Sequence, residues 1–368
     1  MLEVFTLKPQ AFGLDISDLS LKIAQLTKQH HGYRLTTFGE FSIPVGVIER
    51  GEVKQEERLT GIIRSSLSNL EGEKLQTKYV VVSLPEEKAF LQMLQFPRMN
   101  AEELSEAVRF EAENYIPYSI DKVYLDFQIV LPLHNHLDHL DVLLASLAKD
   151  VIDPYVSVLQ KAGLTPVVLE VESLAISRAL VKGGVTPSPI LIMDMGATRT
   201  GLNVFSGYSS RFTASIPISA EHFTHGIEKA LSVEKSEAEQ LKIQHGLSGR
   251  EDSMGRKVFE ALIPSITDFI EQMRKYIIYY ESHMSHQHLR RPIKDIRKIL
   301  LCGGGANLKG LPEFLTKELK IETVVGNPWH NILPPSLKEL PPIPFQDSIR
   351  YTTALGLALR GANQELTF

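Results

Sequence analysis

Gly13-Leu14-Asp15-Ile16-Ser17-Asp18-Leu19-Ser20-Leu21-Lys22-Ile23 is an apolar strand that runs into an aspartate, a short hydroxyl-bearing turn and a second strand. The same order returns at Ile192-Met193-Asp194-Met195-Gly196-Ala197-Thr198-Arg199-Thr200-Gly201-Leu202. Asp15 and Asp194 lie 179 positions apart, about half of the 368 residues. A supersecondary unit repeated at that spacing points to two related halves.

Two such hairpins facing one another can grip a phosphate tail. Backbone N–H groups in each turn donate to phosphate oxygens, and Ser or Thr hydroxyls add donors. An aspartate at each strand end suits Mg²⁺, which is held largely through its own water shell. A third element supports the same chemistry. Lys298-Ile299-Leu300-Leu301-Cys302-Gly303-Gly304-Gly305-Ala306-Asn307-Leu308 is a buried-type strand that enters three glycines. Consecutive glycines let a flat ligand approach the backbone. No Gly-Lys-Ser/Thr follows, and the third glycine of a dinucleotide fingerprint is missing, so neither phosphate-loop class applies.

Outward from these motifs the chain alternates strands and helices. Strands are expected at Phe12 to Ile16, Leu21 to Leu26, Tyr33 to Ile43 and Tyr79 to Leu84, with a helix over Gln55 to Leu70. A charged helix follows at Ala101 to Tyr115, with Leu104, Val108 and Tyr115 on one face. Two strands, Tyr124 to Leu131 and Val142 to Leu147, flank the polar hairpin LHNHLDHLD. A helix from Ile152 to Ala162 ends at Gly163. Residues 86–165 therefore read as an inserted helix-strand-strand-helix unit. Beyond it come a strand and a helix (166–181), a linker (183–189) and three strands near 190–195, 201–205 and 211–215. Helical stretches follow at 220–242 and 256–286, then a helix at 308–319 that Asn307 opens. Residues 328–344 read as irregular, and a buried helix is expected at 351–359. His134, His136 and His139, and His283, His286 and His288, are read as exposed turn and helix-end residues rather than metal ligands. Cys302 is read as a buried small hydrophobe.

Composition bounds the function. Lys and Arg number 39 against 44 Asp and Glu, a net charge of -5, which disfavours a nucleic-acid partner. One cysteine excludes an internal disulfide and a cysteine metal cage. No apolar run reaches the roughly 18 residues of a membrane helix, and the start lacks the pattern of a secretory signal. No direct membrane insertion is expected.

The order hairpin, hairpin, glycine loop resembles the actin-like ATPase superfamily. Phe110-Glu111-Ala112-Glu113-Asn114-Tyr115-Ile116-Pro117-Tyr118, Tyr124-Leu125-Asp126-Phe127, the stretch 150–180 and Ala354-Leu355-Gly356-Leu357-Ala358-Leu359-Arg360-Gly361 are similar to the PilM family and its FtsA-like relatives. The resemblance implies an α/β chain with the actin-like ATPase fold: two duplicated lobes around a nucleotide cleft, with an FtsA/PilM-type inserted subdomain. The expected division is a first lobe at 11–85 and 166–187, an insertion at 86–165, a second lobe at 188–228 and 296–345, a helical subdomain at 229–295, and a C-terminal helix at 346–362 returning to the first lobe. It further implies ATP or ADP with Mg as cofactor. The expected role is a scaffold of the type IV pilus assembly platform, cytoplasmic at the inner face of the membrane. It would bind the N-terminal cytoplasmic peptide of a PilN-like single-span membrane protein and contact other platform proteins.

By the same resemblance, Asp15 and Asp194 are the metal-side aspartates. Ser17, Ser20 and Lys22 lie in the first phosphate hairpin, and Gly196, Thr198 and Thr200 in the second. Gly303, Gly304, Gly305 and Asn307 form the adenosine loop. Glu239 and Lys242, three apart on a helix, share a face that would reach ribose or adenine. Glu172 stands where relatives orient the attacking water. Relatives carry Gly where this chain has Ser17-Asp18. Strain at Ser17 and a negative charge at Asp18 would make hydrolysis slow or absent, unless Asp18 is a solvated turn residue. Competing readings are a competence or type II secretion counterpart, an FtsA-like division protein, whose relatives end in a basic amphipathic helix unlike GANQELTF, and a sugar kinase, for which no substrate-deprotonating Asp is found.

Overall fold

Each aspartate-ended strand sits at the centre of its own sheet. The computed structural model describes residues 10–133, 138–249, 252–283, 295–334 and 340–363. His134, His136, His286, His288 and residues 364–368 lie outside the described residues.

The first sheet begins with β1 (Phe12–Ile16), β2 (Ser20–Gln29) and β3 (Gly32–Ser42), an antiparallel meander. A small hairpin, β4 (Ile48–Glu49) and β5 (Glu52–Val53), leads into α1 (Glu56–Ser68). The short edge strand β6 (Glu71–Gly72) follows, then β7 (Tyr79–Leu84), which lies parallel to β1. β8 (Ala89–Pro97), α2 (Ala101–Tyr115), β9 (Val123–Val130) and β10 (His139–Ala148) form a separate three-stranded sheet with one covering helix. α3 (Lys149–Lys161) returns the chain to β11 (Thr165–Val171), parallel to β7, and α4 (Glu172–Leu180) follows.

The second sheet repeats the plan. β12 (Thr186–Met195), β13 (Thr200–Gly207) and β14 (Ser209–Ile216) form the meander. Then come α5 (Ala220–Leu231), α6 (Lys235–His245), α7 (Ser253–His283), β15 (Lys298–Cys302), α8 (Leu311–Leu319) and β16 (Glu322–Val325). α9 (Phe345–Ser348) and α10 (Thr352–Asn363) complete the described chain. Strand orders are β11-β7-β1-β2-β3-β6 and β14-β13-β12-β15-β16. Apart from the β6 edge, the sheets share one order, which is the duplication legible in the two hairpins.

β1, buried on both faces, reads as an almost continuous apolar run, as a central strand should. One face of its sheet packs Leu14, Leu21 and Val82 against Leu59 and Ile63 of α1 and Tyr155 and Val158 of α3. The other face is covered by α10, a helix buried on nearly every side. The approach is close: a Cβ on Gly13 would stand 2.4 Å from the Ala354 carbonyl, and one on Gly356 would stand 1.9 Å from that of Ala175 in α4. Buried Glu170 of β11 ties these helices down by accepting from Arg178 of α4 (2.8 Å) and from Arg360 of α10. Ile176 and Leu180 of α4 meanwhile enter the core of the second sheet. Each lobe thus lends a helix to the other, and the two helices pack on one another.

The insertion differs from the expected unit at both ends. β8 was absent from the sequence reading; its buried residues are Leu94 and Phe96, and its Pro97 sits on an edge strand, where a missing N–H is harmless. α3 belongs to the core of the first sheet, not to the insertion's sheet. α2 forms as expected, opened by an Asn100/Glu103 capping box. Its buried face is Leu104, Val108 and Ala112, while Tyr115 is exposed at the last turn. The segment 183–189 is strand from Thr186 onward, with a bulge before Ile190. β16 was also unread, and α8 opens at Leu311 behind Gly310, so Asn307 does not begin it. Trp329, 4% exposed, anchors its loop in the core beneath α10.

The insertion also touches the second lobe. Asp141 of β10 and Arg211 of β14, both buried, form an ion pair of 2.6 Å. Gln95 Nε2 also donates to Asp141, at 3.2 Å.

Candidate functional site

The two hairpin turns face each other across a cleft of about 710 Å³ between the sheets. In the first turn the Ser17 N–H donates to the Ser20 carbonyl at 2.9 Å, and the Ser17 and Ser20 hydroxyls meet at 2.9 Å. Lys22 Nζ donates to Ser20 Oγ at 2.7 Å and stands 3.8 Å from Asp15. Ser17 is not among the residues with positive φ, so the strain expected there is absent. Asp18 is not a solvated turn residue. It is 9% exposed and accepts from the Gly51 N–H at 2.9 Å and from Thr198 Oγ1 of the opposite turn at 3.5 Å.

In the second turn Gly196, Thr198 and Arg199 line the cleft. The first N–H groups of α5 donate back to the turn, Ala220 to Gly196 O and Glu221 to Ala197 O, both at 3.2 Å. Thr200 departs from its expected role. It is fully buried, and its hydroxyl is spent on the Ile218 carbonyl at 2.7 Å.

The floor is acidic. Asp15 accepts from Ser83 Oγ at 3.0 Å, and burial raises its pKa against the opposing pull of Lys22. Asp194 is pushed up to about 6 by burial and then by Asp15. Glu172, at the start of α4, is raised well above the usual carboxylate range by burial, Asp15, Asp194 and Glu86. Among the described residues no three His, Cys, Asp or Glu side chains enclose a metal ion directly. Hard carboxylate oxygens that repel one another in a buried floor fit a hydrated divalent cation, and Asp15 and Asp194 would hold it through its waters.

The glycine loop closes the far wall. Gly303 has φ +77°, and a Cβ there would stand 2.3 Å from Asp194 Oδ1. A Cβ on Gly305 would press Met195 at 3.0 Å. Gly304 has open space before it and presents bare backbone to the cleft. Asn307 holds the Gln346 carbonyl at 2.9 Å. Buried Lys242 donates to Thr224 Oγ1 and Glu239 Oε2, both at 2.7 Å, and to the Ala220 carbonyl at 3.1 Å, fixing α6 to the start of α5. Burial opposes ionisation of Glu239, but hydrogen bonds from Lys242 and Thr224 keep its pKa low.

Arg199, Glu86, Asn203 and Arg350 are among the lining residues that the sequence did not point to. Arg199 stood inside the quoted hairpin and was passed over. Glu86 accepts from the Ser173 N–H at 3.1 Å and so caps α4. Asn203 reaches α4 through Ser177 Oγ at 2.7 Å. Arg350 holds Asp347 at 2.8 Å beside the glycine loop. None of these three sits in a motif, and only the fold brings them to the cleft.

Among solved structures, a PilM-PilN type IV pilus biogenesis complex is similar over 96% of this chain and 99% of that one, at 26% identity and a TM-score of 0.78. MreB5 of Spiroplasma citri bound to ADP covers 97% and 99% at 12% identity and a TM-score of 0.56, a likeness of fold. The cell division protein FtsA of Escherichia coli K12 is 23% identical over 236 residues, 59% of this chain and 54% of that protein. The chain thus spans about half the length of the curated relatives it matches. No helix among the described residues is long and apolar enough to cross a membrane. The family model described as type IV pilus assembly protein PilM matches residues 13–362. With two sheets of one strand order and a cleft between their aspartate-tipped hairpins, the chain has the actin-like ATPase fold and belongs to the PilM family of type IV pilus assembly proteins.

Proposed function

We propose that this protein is a nucleotide-binding scaffold of the type IV pilus inner-membrane platform. ATP or ADP with Mg²⁺ occupies the cleft, and the insertion takes the N-terminal cytoplasmic peptide of a PilN-like membrane protein. The observation that carries the nucleotide half is the convergence of both turns, Asp15, Asp194 and the open backbone at Gly304 on one cleft. The adenosine end would lie along Gly304, Gly305, Asn307, Glu239 and Lys242. The phosphates would lie between Ser17, Ser20 and Lys22 on one side and Gly196 and Thr198 on the other. Mg²⁺ would supply charge neutralisation between the floor carboxylates and the phosphates.

Calorimetric titration with Mg-ATP and Mg-ADP tests this half. Asp194→Ala is expected to abolish metal-dependent binding, and unchanged affinity would sink the site. Turnover should be slow. Glu172, which would orient the attacking water, has a carboxyl biased towards its protonated form. A protonated carboxyl is a poor base. Rapid multiple turnovers lost in Glu172→Ala would overturn that expectation.

The partner half is supported by the similar complex that contains PilN and by the insertion's surface. β9 is an edge strand, and Tyr118, Tyr124, Ile129 and Leu131 on and beside it are exposed. An unpaired edge with apolar neighbours suits an extended peptide. Ordering such a peptide limits affinity to about the micromolar range. Fluorescence anisotropy with the labelled tail should show binding weakened about tenfold by Ile129→Asp, roughly the loss of one good contact. Equal binding would place the groove elsewhere. This association would hold the protein at the inner face of the membrane.

A further inference from the structure

Arg199 has two possible employers. It lies in the second hairpin turn and lines the cleft beside Thr198. Its guanidinium Nη1 pairs with the carboxylate of Glu87. Glu87 stands in the short turn Glu86–Lys88 that joins β7 to β8, so it is the root of the insertion. Arg199 Nη1 meets Glu87 Oε1, and Asp18 and Glu86 also act on the Arg199 charge, so Glu87 is the carboxylate in direct contact among three that attract it. The pair is mostly shielded from water, with side-chain exposures of 19% and 17%. The same root is packed against Gly51, whose N–H holds Asp18 of the first turn and whose added Cβ would strike Pro85 at 2.5 Å. Both phosphate turns therefore converge on the start of β8.

We propose that Arg199 is a switch shared between the terminal phosphate of a nucleoside triphosphate and Glu87, so that a triphosphate loosens the root of the insertion and a diphosphate does not. The proposal rests on the cleft reading above and gives that site its regulation. The chemistry is competition for one fork of donors. Arginine pairs with phosphate or carboxylate in bidentate geometry, and it cannot serve both fully. The orientation follows from the cleft. With the base along Gly304 and Asn307, the phosphate tail points to the end where Thr198 meets Asp18, and Arg199 is the next residue. The far side of the insertion stays fastened through Asp141 and Arg211. The loosening is therefore confined to the root and does not spread over the three-stranded sheet.

Hydrogen exchange on the full chain with Mg-ATPγS and with Mg-ADP, combined with calorimetry, tests the switch. The expected result is faster exchange at residues 86–91 with Mg-ATPγS than with Mg-ADP, and no difference at residues 139–148. Glu87→Gln removes the one competitor in direct contact, leaving Asp18 and Glu86, and should tighten Mg-ATPγS binding about tenfold, a change of the size expected for one charge-assisted bond, while leaving Mg-ADP affinity unchanged. Arg199→Gln should speed exchange at 86–91 without nucleotide and erase the difference between the two ligands. Glu52→Gln, which breaks a neighbouring ion pair with Lys88 that does not involve Arg199, should leave both affinities as they are. If nucleotide binds but exchange at 86–91 is the same in both ligands and Glu87→Gln binds Mg-ATPγS no better, the switch is wrong and the cleft stands. If the wild-type chain binds neither nucleotide, both fall. Should either variant fail to fold, the wild-type exchange comparison decides alone.

Discussion

Asp194 shows how a single carboxylate records its surroundings. Its folded pKa, about 6, lies above the reference value of 3.8. Between pH 6 and pH 4 the folded state therefore takes up a proton that the unfolded state does not. Ionised Asp194 lowers stability above pH 6, and this penalty disappears as the pH falls towards 4. In EDTA, Asp194→Asn should raise stability at pH 7.5 by up to about 3 kcal/mol and flatten that part of the profile. Thermal denaturation between pH 4 and pH 8 measures it, and a less stable variant at pH 7.5 would contradict the electrostatic account. The glycine loop gives a sharper contrast. Gly304→Ala meets nothing within 4 Å and should leave the melting temperature unchanged while weakening nucleotide binding. Gly303→Ala should lower both, since it combines a left-handed backbone with a clash on Asp194. At this scale the sequence was legible where chemistry is local: Asp15, Asp194 and the glycines stand at the cleft as read. Thr200 and Asp18 were misread because their partners, Ile218 O and Gly51 N, come from elsewhere in the chain.

Elements were legible in proportion to how much of their signal is local. α2 has the expected ends, Ala101 and Tyr115, and the structure adds the Asn100/Glu103 capping box that opens it. β7 was found because YVVVSL can hardly be anything but a central strand. β8 gives a weak signal because Ala89 to Met93 are all partly buried and the buried-exposed alternation is confined to Leu94 to Pro97. α10 was recognised as buried, but its two-sided contact with β1 and α4 was not readable. That contact makes a strong prediction. Gly356→Ala places a methyl 1.9 Å from the Ala175 carbonyl, which is backbone and cannot step aside. The helices must separate, at a loss of about 3 kcal/mol or more. Denaturant unfolding that shows less than about 1 kcal/mol, the usual cost of a tolerated core swap, would mean the helices do not pack this closely.

Across the whole molecule the buried pair Asp141–Arg211 ties the insertion to the second lobe at a distance from the Glu87–Arg199 root. Breaking one side leaves a charge in a dry interface. Asp141→Asn should destabilise by about 3–5 kcal/mol, whereas the double change Asp141→Leu with Arg211→Met should recover most of it. Hydrogen exchange in β8, β9 and β10 separates a local from a global effect. If the single and double variants are equally unstable, lost packing rather than a stranded charge is responsible. The duplication of the lobes was readable from two eleven-residue stretches. The Asp141–Arg211 tie was not, because the two residues sit 70 positions apart in stretches with no motif.

The dependence of the first sheet on α10 has a consequence for biosynthesis. β1 leaves the ribosome about 340 residues before α10 does. At roughly 5–20 residues per second this interval is on the order of 20–70 s. Throughout it, the part of the nascent sheet's face that carries Gly13 and Ala24 lacks its cover from α10. Translation arrested before codon 352 should therefore yield ribosome-bound chains that recruit general chaperones, and release of α10 from the exit tunnel should end that recruitment.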